Sequence, residues 1–414
     1  MPNLDSDFIR SQFPAFSESS LQGQAFFENA GGSYACGQVI DRLTRYYRET
    51  KVQPYWAFAA SAKAGAQMDA AYERIAGYMN VAADEVNFGP STTQNTYVLA
   101  NAFRPLWADG DEIIVTNQDH EANGGAWRRL ADRGIVVREW RVNPDTGQLD
   151  LSDLDKLLTS KTKLVAFPHC SNIVAHINPV REIADKAHSV GAHVVVDGVS
   201  YAPHGLPDVE ALGADVYLCS LYKVYGPHLG LMVVRRALRD ALANQSHYFN
   251  ETNSRAKLTP AGPDHAQIAA AGGVADYFDA VHAHHFSDNA DAPTRGRRVH
   301  DLFRGQEEAL LAPLLDHLRG RNDVRLLGPS DAAVRAPTVA LQTLRANPHE
   351  IAETLAQKGI MAGAGDFYSV RVIEAMGVDV DPGALRVSFV HYTTRDEVDK
   401  LIAVLDETLS QHER

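Results

Sequence analysis

Cysteine is scarce. The chain holds three (Cys36, Cys170 and Cys219), an odd set with no CxxC spacing. This excludes a disulfide framework and the usual cysteine zinc motifs, and it suits a reducing compartment. Long apolar runs are missing as well: no stretch approaches the roughly 20 residues that a membrane span needs. The opening MPNLDSDFIRSQFPAF is polar and acidic, unlike a signal or transit peptide. The expected location is therefore the cytoplasm. Nor is there an excess of positive charge, since 39 Lys and Arg stand against 52 Asp and Glu for a net charge of −13. That balance argues against nucleic acid or an anionic membrane surface as a partner, while leaving room for a local pocket that takes a small anion. Internal repeats, low-complexity tracts and a clustered Gly/Pro linker are also absent.

What the chain does have is apolar content, 45% of 414 residues. This is enough for more than one lobe, because single cores stop growing at about 250–300 residues. From about Asn80 onward, short apolar runs alternate with amphipathic stretches. EVNFG, DEIIVTN, IVVREWRV, KLVAFPHC, AHVVVD and ADVYLCS read as strands. STTQNTYVLANAF, GAWRRLADRG, LDLSDLDKLLTS and PVREIADKAHSVG read as the helices between them. Such alternation predicts βαβ units and an α/β fold with a mostly parallel sheet, covered on both faces. Beyond about residue 285 the texture changes to long helical patterns around short strands such as APTVALQT and ALRVSFV. The expected organisation is a large domain over residues 26–284, a smaller α+β domain over 285–414, and residues 1–25 packing on the smaller one.

Polar residues at the predicted strand ends suggest a site, because ligands of open α/β sheets bind at the carboxyl ends of the strands. Asp197 closes AHVVVD, and a carboxylate there needs either a positive partner, such as a protonated pyridine nitrogen, or a loop to cap. Lys223, in CSLYKVYGP, follows another apolar strand between Tyr222 and Tyr225. Desolvation would lower its pKa and make it a nucleophile toward an aldehyde, unless it snorkels out to water. Ser91, Thr92 and Thr93 open a predicted helix, suiting either an ordinary N-cap or a phosphate cup. His120 lies between a strand and a helix, where an imidazole can stack on a flat ring and pass a proton. His282, His284 and His285 in VHAHHF lack companions at metal-ligand spacing and read as a solvated turn between the lobes.

The runs FFENAGGSY, STT, QDHEANGGAW, HCSNIVAHINPV, VVVDGVSYAPH, DVYLCSLYKVYGPHLG and ALRVSF occur in an order that resembles class V aminotransferases. These form the cysteine desulfurase-like branch of fold type I pyridoxal-5'-phosphate (PLP) enzymes. The resemblance covers nearly the whole chain and is most specific in VVVDG and S-x-x-K-x-x-GP. It implies a large domain with a mostly parallel seven-stranded sheet, a homodimer, PLP as cofactor and a small amino acid as substrate. By position it makes Lys223 the residue that binds the cofactor as a Schiff base, Asp197 the partner of the pyridine nitrogen and His120 the stacking histidine. Thr92, Thr93 and Ser220 fall at phosphate contacts, with Tyr222 where the family usually has a histidine. Asn172 falls near the phenolic oxygen, and Ser200 stands where a glutamine is usual. Arg386 matches the arginine that clamps the substrate α-carboxylate, with Asn29 and Tyr368 also expected toward the substrate and Arg371 on the same loop as Tyr368.

Desulfurases carry a nucleophilic cysteine on a loop shortly before that arginine, and the corresponding GIMAGAGDFYSVRVIEAMGV has none. A persulfide needs a thiolate there. Transamination or a related lyase reaction is therefore expected first. Epimerisation, as in the isopenicillin N epimerase relatives, is the alternative on the same cofactor. A PLP-binding protein without turnover has little use for a carboxylate clamp. A nicotinamide dehydrogenase would need a GxGxxG turn that is not present.

Overall fold

A computed structural model describes residues 2–411; Met1 and residues 412–414, the extremities of the expected terminal segments, lie outside the described residues. Seven strands form one sheet in the order Val86–Gly89, Gly230–Val234, Val216–Ser220, His193–Asp197, Thr162–Pro168, Glu112–Thr116 and Val136–Trp140. Most are continuous apolar runs because both faces are covered, and successive side chains point to opposite faces. Ile113, Val115, Leu164 and Val195 thus meet Leu99, Phe103 and Trp127 on one side. Ile114, Val165, Val194 and Val196 join Ile183, Ile268 and Val274 on the other.

Six of the strands share one direction. Gly230–Val234 is antiparallel to both neighbours, and the expectation of helix-linked strands did not separate it from the loop after Ser220. Chain length explains the reversal: residues 221–229 are too few for a helical crossover, which takes a dozen or more. This short return holds Lys223 at the end of one 3-10 turn, Leu221–Lys223.

Helices Gly37–Glu49 and Ala59–Tyr78 precede the alternation that begins near Asn80, and helix His265–His285 carried no clear signal in the sequence. The last is rich in Ala and Gly and buried on most sides, so it lacks the polar face that periodicity detects. A Cβ on Gly273 would come within 2.6 Å of the Val39 backbone nitrogen, and glycine there lets two helices touch. VHAHHF is corrected by the same helix: its histidines occupy the last turn rather than a solvated loop. His282 is buried, His284 pairs with Asp5 at 2.9 Å and stacks on Phe8, and His285 Nε2 accepts the Asp5 backbone N–H. Among the described residues no group of three or more His, Cys, Asp or Glu is placed to hold a metal ion.

The smaller sheet is antiparallel, in the order Gly363–Gly365, Ala384–Ser388, Thr338–Thr343, Val324–Leu327. Helices Pro348–Gln357 and Arg395–Gln411 contribute Ile351, Leu355, Leu401 and Leu405 to its core. Helix Ala292–Arg319 runs through both cores, giving Val299 and Phe303 to the larger and Leu311 and Leu315 to the smaller. The N-terminal segment also bridges them: Ile9 and Phe13 lie in the larger core, Ala25 in the smaller. The Phe13 ring is edge-on to Tyr225, two residues past Lys223, and to Tyr277 and Tyr392. Phe13→Ala is expected to cost roughly 3–5 kcal/mol, read as a lower urea midpoint. A loss under about 1 kcal/mol would mean that the segment merely drapes over the surface.

Candidate active site

The carboxyl ends of the parallel strands gather the polar residues. Asp197 and Ser220 end their strands, His120 follows Thr116, and the helix Thr92–Phe103 starts just after Gly89. One cavity is walled by Thr92, Thr93, His120, Asn172, Asp197, Ser200, Ser220, Tyr222 and Lys223 together. Every position expected to contact a cofactor therefore borders the same space. Ser91, Cys170, Ser171 and His228 complete much of the wall.

Lys223 is 7% exposed, and among the described residues its Nζ makes no hydrogen bond or ion pair. Burial, then the nearby Arg386 charge, pushes its pKa down to about 8, against the pull of Asp197 and Glu28. Burial likewise pushes Asp197 up to about 6, although one oxygen accepts the Val199 N–H at 2.9 Å and Lys223 favours the charged form. A carboxylate so placed is short of positive charge. His120 is neutral near pH 7, held down to about 4 by burial and then by Lys223 and Arg386. Its Nδ1 accepts the Ala122 N–H at 3.0 Å and caps the following helix, which leaves the proton on Nε2.

The start of helix Thr92–Phe103 supplies unpaired N–H groups beside hydroxyls. Ser91 caps it, accepting from the Gln94 N–H, and Thr92 Oγ1 lies 2.7 Å from Ser220 Oγ. A Cβ on Gly230 would come within 2.3 Å of the Ser91 carbonyl carbon, so glycine in that strand seats the helix start against the sheet. Tyr222 stacks on His228, with ring centroids 4.6 Å apart, and no signal in GPHLG marked that histidine. The set of anion-binding helix start, hydroxyls, cation-seeking Asp197 and unbonded Lys223 amine fits a phosphorylated, ring-nitrogen-bearing aldehyde.

The small lobe brings Arg386, 4% exposed, from the strand Ala384–Ser388. It is not free, for Glu28 pairs with it at 2.6 Å and Phe367 lies over its guanidinium. Neither of these partners was singled out from the sequence, since both lie far from Arg386 or on an unpatterned loop. Asn172 turns its amide to that loop, accepting from Ser369 Oγ at 2.7 Å and donating to the Phe367 carbonyl at 3.1 Å. None of the three expected substrate residues lines the shared cavity: Arg386 borders it only through the Asn172 carbonyl, and Asn29 and Tyr368 stand outside. The Asn29 amide is spent on the Phe26 and Ser388 carbonyls and the Tyr392 hydroxyl. Tyr368 is 73% exposed at the mouth, its ring 5.5 Å from His120. Arg371 lies beside it, 3.5 Å from Glu121. All three cysteines are buried, with thiol pKa values pushed up to about 12 by burial.

A family model described as aminotransferase class-V matches residues 25–294 and 299–401. The aminotransferase-like protein FGM3 of Gibberella zeae is 36% identical over 413 residues, spanning 97% of this chain and 98% of its own. A cysteine desulfurase of Serratia proteamaculans is 30% identical over 415 residues, with 96% of each chain covered. Among solved structures, the cysteine desulfurase CsdA of Escherichia coli superposes with a TM-score of 0.83 at 23% identity, over 99% of this chain and 100% of that one. At that identity the likeness speaks to the fold alone.

The buried lysine has a consequence for stability. An unfolded Lys223 titrates near 10.5 and the folded one near 8. Folding therefore carries a penalty that is full below about pH 8 and vanishes as pH rises through 10.5. In cofactor-free protein, Lys223→Met should gain roughly 3 kcal/mol near pH 7. Urea midpoints taken across pH 7–11 should show that gain shrinking. A variant less stable at every pH would show that the ammonium is well solvated.

Proposed function

The chain belongs to the class V aminotransferases, a family of PLP-dependent enzymes, and within it we propose a catalyst of proton transfer at the α-carbon of a small amino acid. The outcome we assign is transamination or a related lyase reaction. Its architecture is that of fold type I PLP enzymes. When bound, the cofactor supplies an electron sink for the pair left behind at the substrate's Cα.

The chain's own residues divide the remaining work. Lys223 would hold the cofactor through its amine and would be the group that moves the substrate's Cα proton. With a pKa of about 8, it keeps roughly a tenth of its amine neutral at pH 7. Asp197 holds a proton on the ring nitrogen. Thr92, Thr93, Ser220 and the N–H groups of the helix start bind the phosphate, with Tyr222 beside them. Neutral His120 would lie against the ring, and Ser200 and Asn172 border the same cavity. Arg386 takes the substrate carboxylate, for which its planar fork is suited. Asn29 acts on the substrate side through the Ser388 backbone, and Tyr368 through its position at the mouth.

The observation that carries this reading is a buried lysine amine without a hydrogen-bond partner among the described residues, in one cavity with Asp197 and the hydroxyl-lined helix start. Desulfuration through a persulfide is disfavoured, because the loop before Arg386 has no thiol and each cysteine is held protonated by burial. We also propose a homodimer. Tyr55, Trp56, Phe58, Tyr248 and Phe249 are each more than half exposed, and an apolar surface of this kind suits a protein partner.

Borohydride reduction of the holoenzyme should fix the cofactor to the peptide that contains Lys223. In D2O, the enzyme should exchange the Cα proton of a responsive amino acid, followed by proton NMR, with a keto acid or an elimination product appearing. Lys223→Ala should lower that exchange by roughly 10²–10⁴-fold. Exchange that survives in the variant, or sulfide release from cysteine through a protein-bound persulfide, would overturn the proposal.

A further inference from the structure

Arg386 is occupied before any substrate arrives. Its Nη2 donates to Glu28 Oε1 at 2.6 Å and its Nη1 to the Asn172 carbonyl at 3.3 Å. Nε is buried and has no partner among the described residues, while Phe367 covers the face of the guanidinium, 3.8 Å from ring centroid to Cζ. An outside carboxylate that binds the fork through two oxygens, at an edge that includes Nη2, meets Glu28 already there. Two carboxylates crowded on one guanidinium edge repel each other.

Glu28 is built to hold that place and to leave it. Its side chain is 32% exposed, against 4% for Arg386, so its charge can be given back to water. Its backbone bridges Ser388, two residues beyond the arginine, which fixes where the carboxylate starts from. The carboxylate then folds over Gly31, where an added Cβ would lie 2.0 Å from Glu28 Oε2 and 2.8 Å from Oε1. Gly31 does not have a positive φ, so the backbone there would accept an L side chain. The room above Gly31 is needed for Glu28.

We infer that Glu28 is an internal carboxylate gate on Arg386, displaced by the carboxylate of the incoming substrate, and that it thereby sets the affinity of the site for carboxylates. This rests on the reading of Arg386 as the substrate clamp. A site whose binding-competent form is only partly populated binds more weakly by that fraction. Glu28 therefore keeps the buried arginine compensated between turnovers and screens out weakly bound anions.

The test uses holoenzyme and propionate, a carboxylate that has no amine to react with the cofactor, titrated calorimetrically. Glu28→Gln removes the competing charge, and Gly31→Ala pushes Glu28 off the arginine while keeping its charge. Both should bind propionate more tightly than wild type, by about tenfold for Glu28→Gln. Adding Arg386→Gln should abolish the gain. If Glu28→Gln keeps the wild-type visible spectrum and circular dichroism but binds propionate equally or more weakly, the gate is wrong: Glu28 then merely positions Arg386. The clamp reading survives that result as long as Arg386→Gln in the wild-type background still loses propionate. If that variant binds propionate unchanged, the clamp falls and the gate falls with it.

Discussion

Burying Lys223 and Asp197 together, without a direct bond between them among the described residues, is the act on which the large lobe's layout depends. Each is destabilised by desolvation, the lysine toward its neutral form and the aspartate toward its protonated one. A flexible framework would relax by letting either group reach water. Here the aspartate ends a strand with neighbours on both sides. The lysine sits in a return of nine residues between two paired strands. The sheet thus holds two unhappy charges facing one cavity, which amounts to a standing affinity for a group that offers one a carbonyl carbon and the other a proton.

The second requirement is that a separate lobe deliver Arg386 to the edge of that cavity, where it bonds the Asn172 carbonyl. The arginine is on an interior strand of the small sheet, paired on both sides, so its position is only as good as the junction between lobes. That junction is covalent and packed at once. Helix Ala292–Arg319 is shared by both cores, and Phe13 wedges between Tyr225 and Tyr392. The loop that carries Phe367 is tied back to the large lobe through Asn172. Orientation between groups from two lobes, rather than any single side chain, is what such a site supplies to a reaction.

Much of this was legible in the sequence, and the misses share a physical cause. Strands such as His193–Asp197 announce themselves because a run buried on both faces is apolar throughout and then stops at a polar residue. Asp197, Lys223, Thr92, Thr93 and His120 were readable because each ends such a strand or follows one closely, whereas Asn172, Ser200, Ser220 and Tyr222 came from the family resemblance; all nine border one cavity. Helix His265–His285 was silent because a helix buried all round has no period to detect. Gly230–Val234 was silent because it continues the lysine loop without a helix between. Glu28, Phe367 and His228 gave no sign, since what matters about them is contact across the chain: Glu28 and Arg386 are 358 positions apart. Asn29 shows the reverse: a suggestive motif residue spends its whole amide on backbone carbonyls and a tyrosine, so its part in the site runs through the Ser388 backbone.

The loop before the arginine accounts for the main departure from the desulfurase pattern. A thiol that attacks a bound substrate and then hands sulfur onward must swing, and its loop must be loosely held. Here Phe367 and Tyr368 both take positive φ (51° and 58°), conformations that non-glycine residues hold only when surroundings fix them. The surroundings do so: Ser369 and the Phe367 carbonyl bond to Asn172, and the Tyr368 carbonyl accepts the Glu121 N–H at 2.8 Å. The Phe367 ring then lies on Arg386. A segment that would carry a travelling nucleophile is instead pinned in place over Arg386, and it offers no thiol that could take part in sulfur exchange.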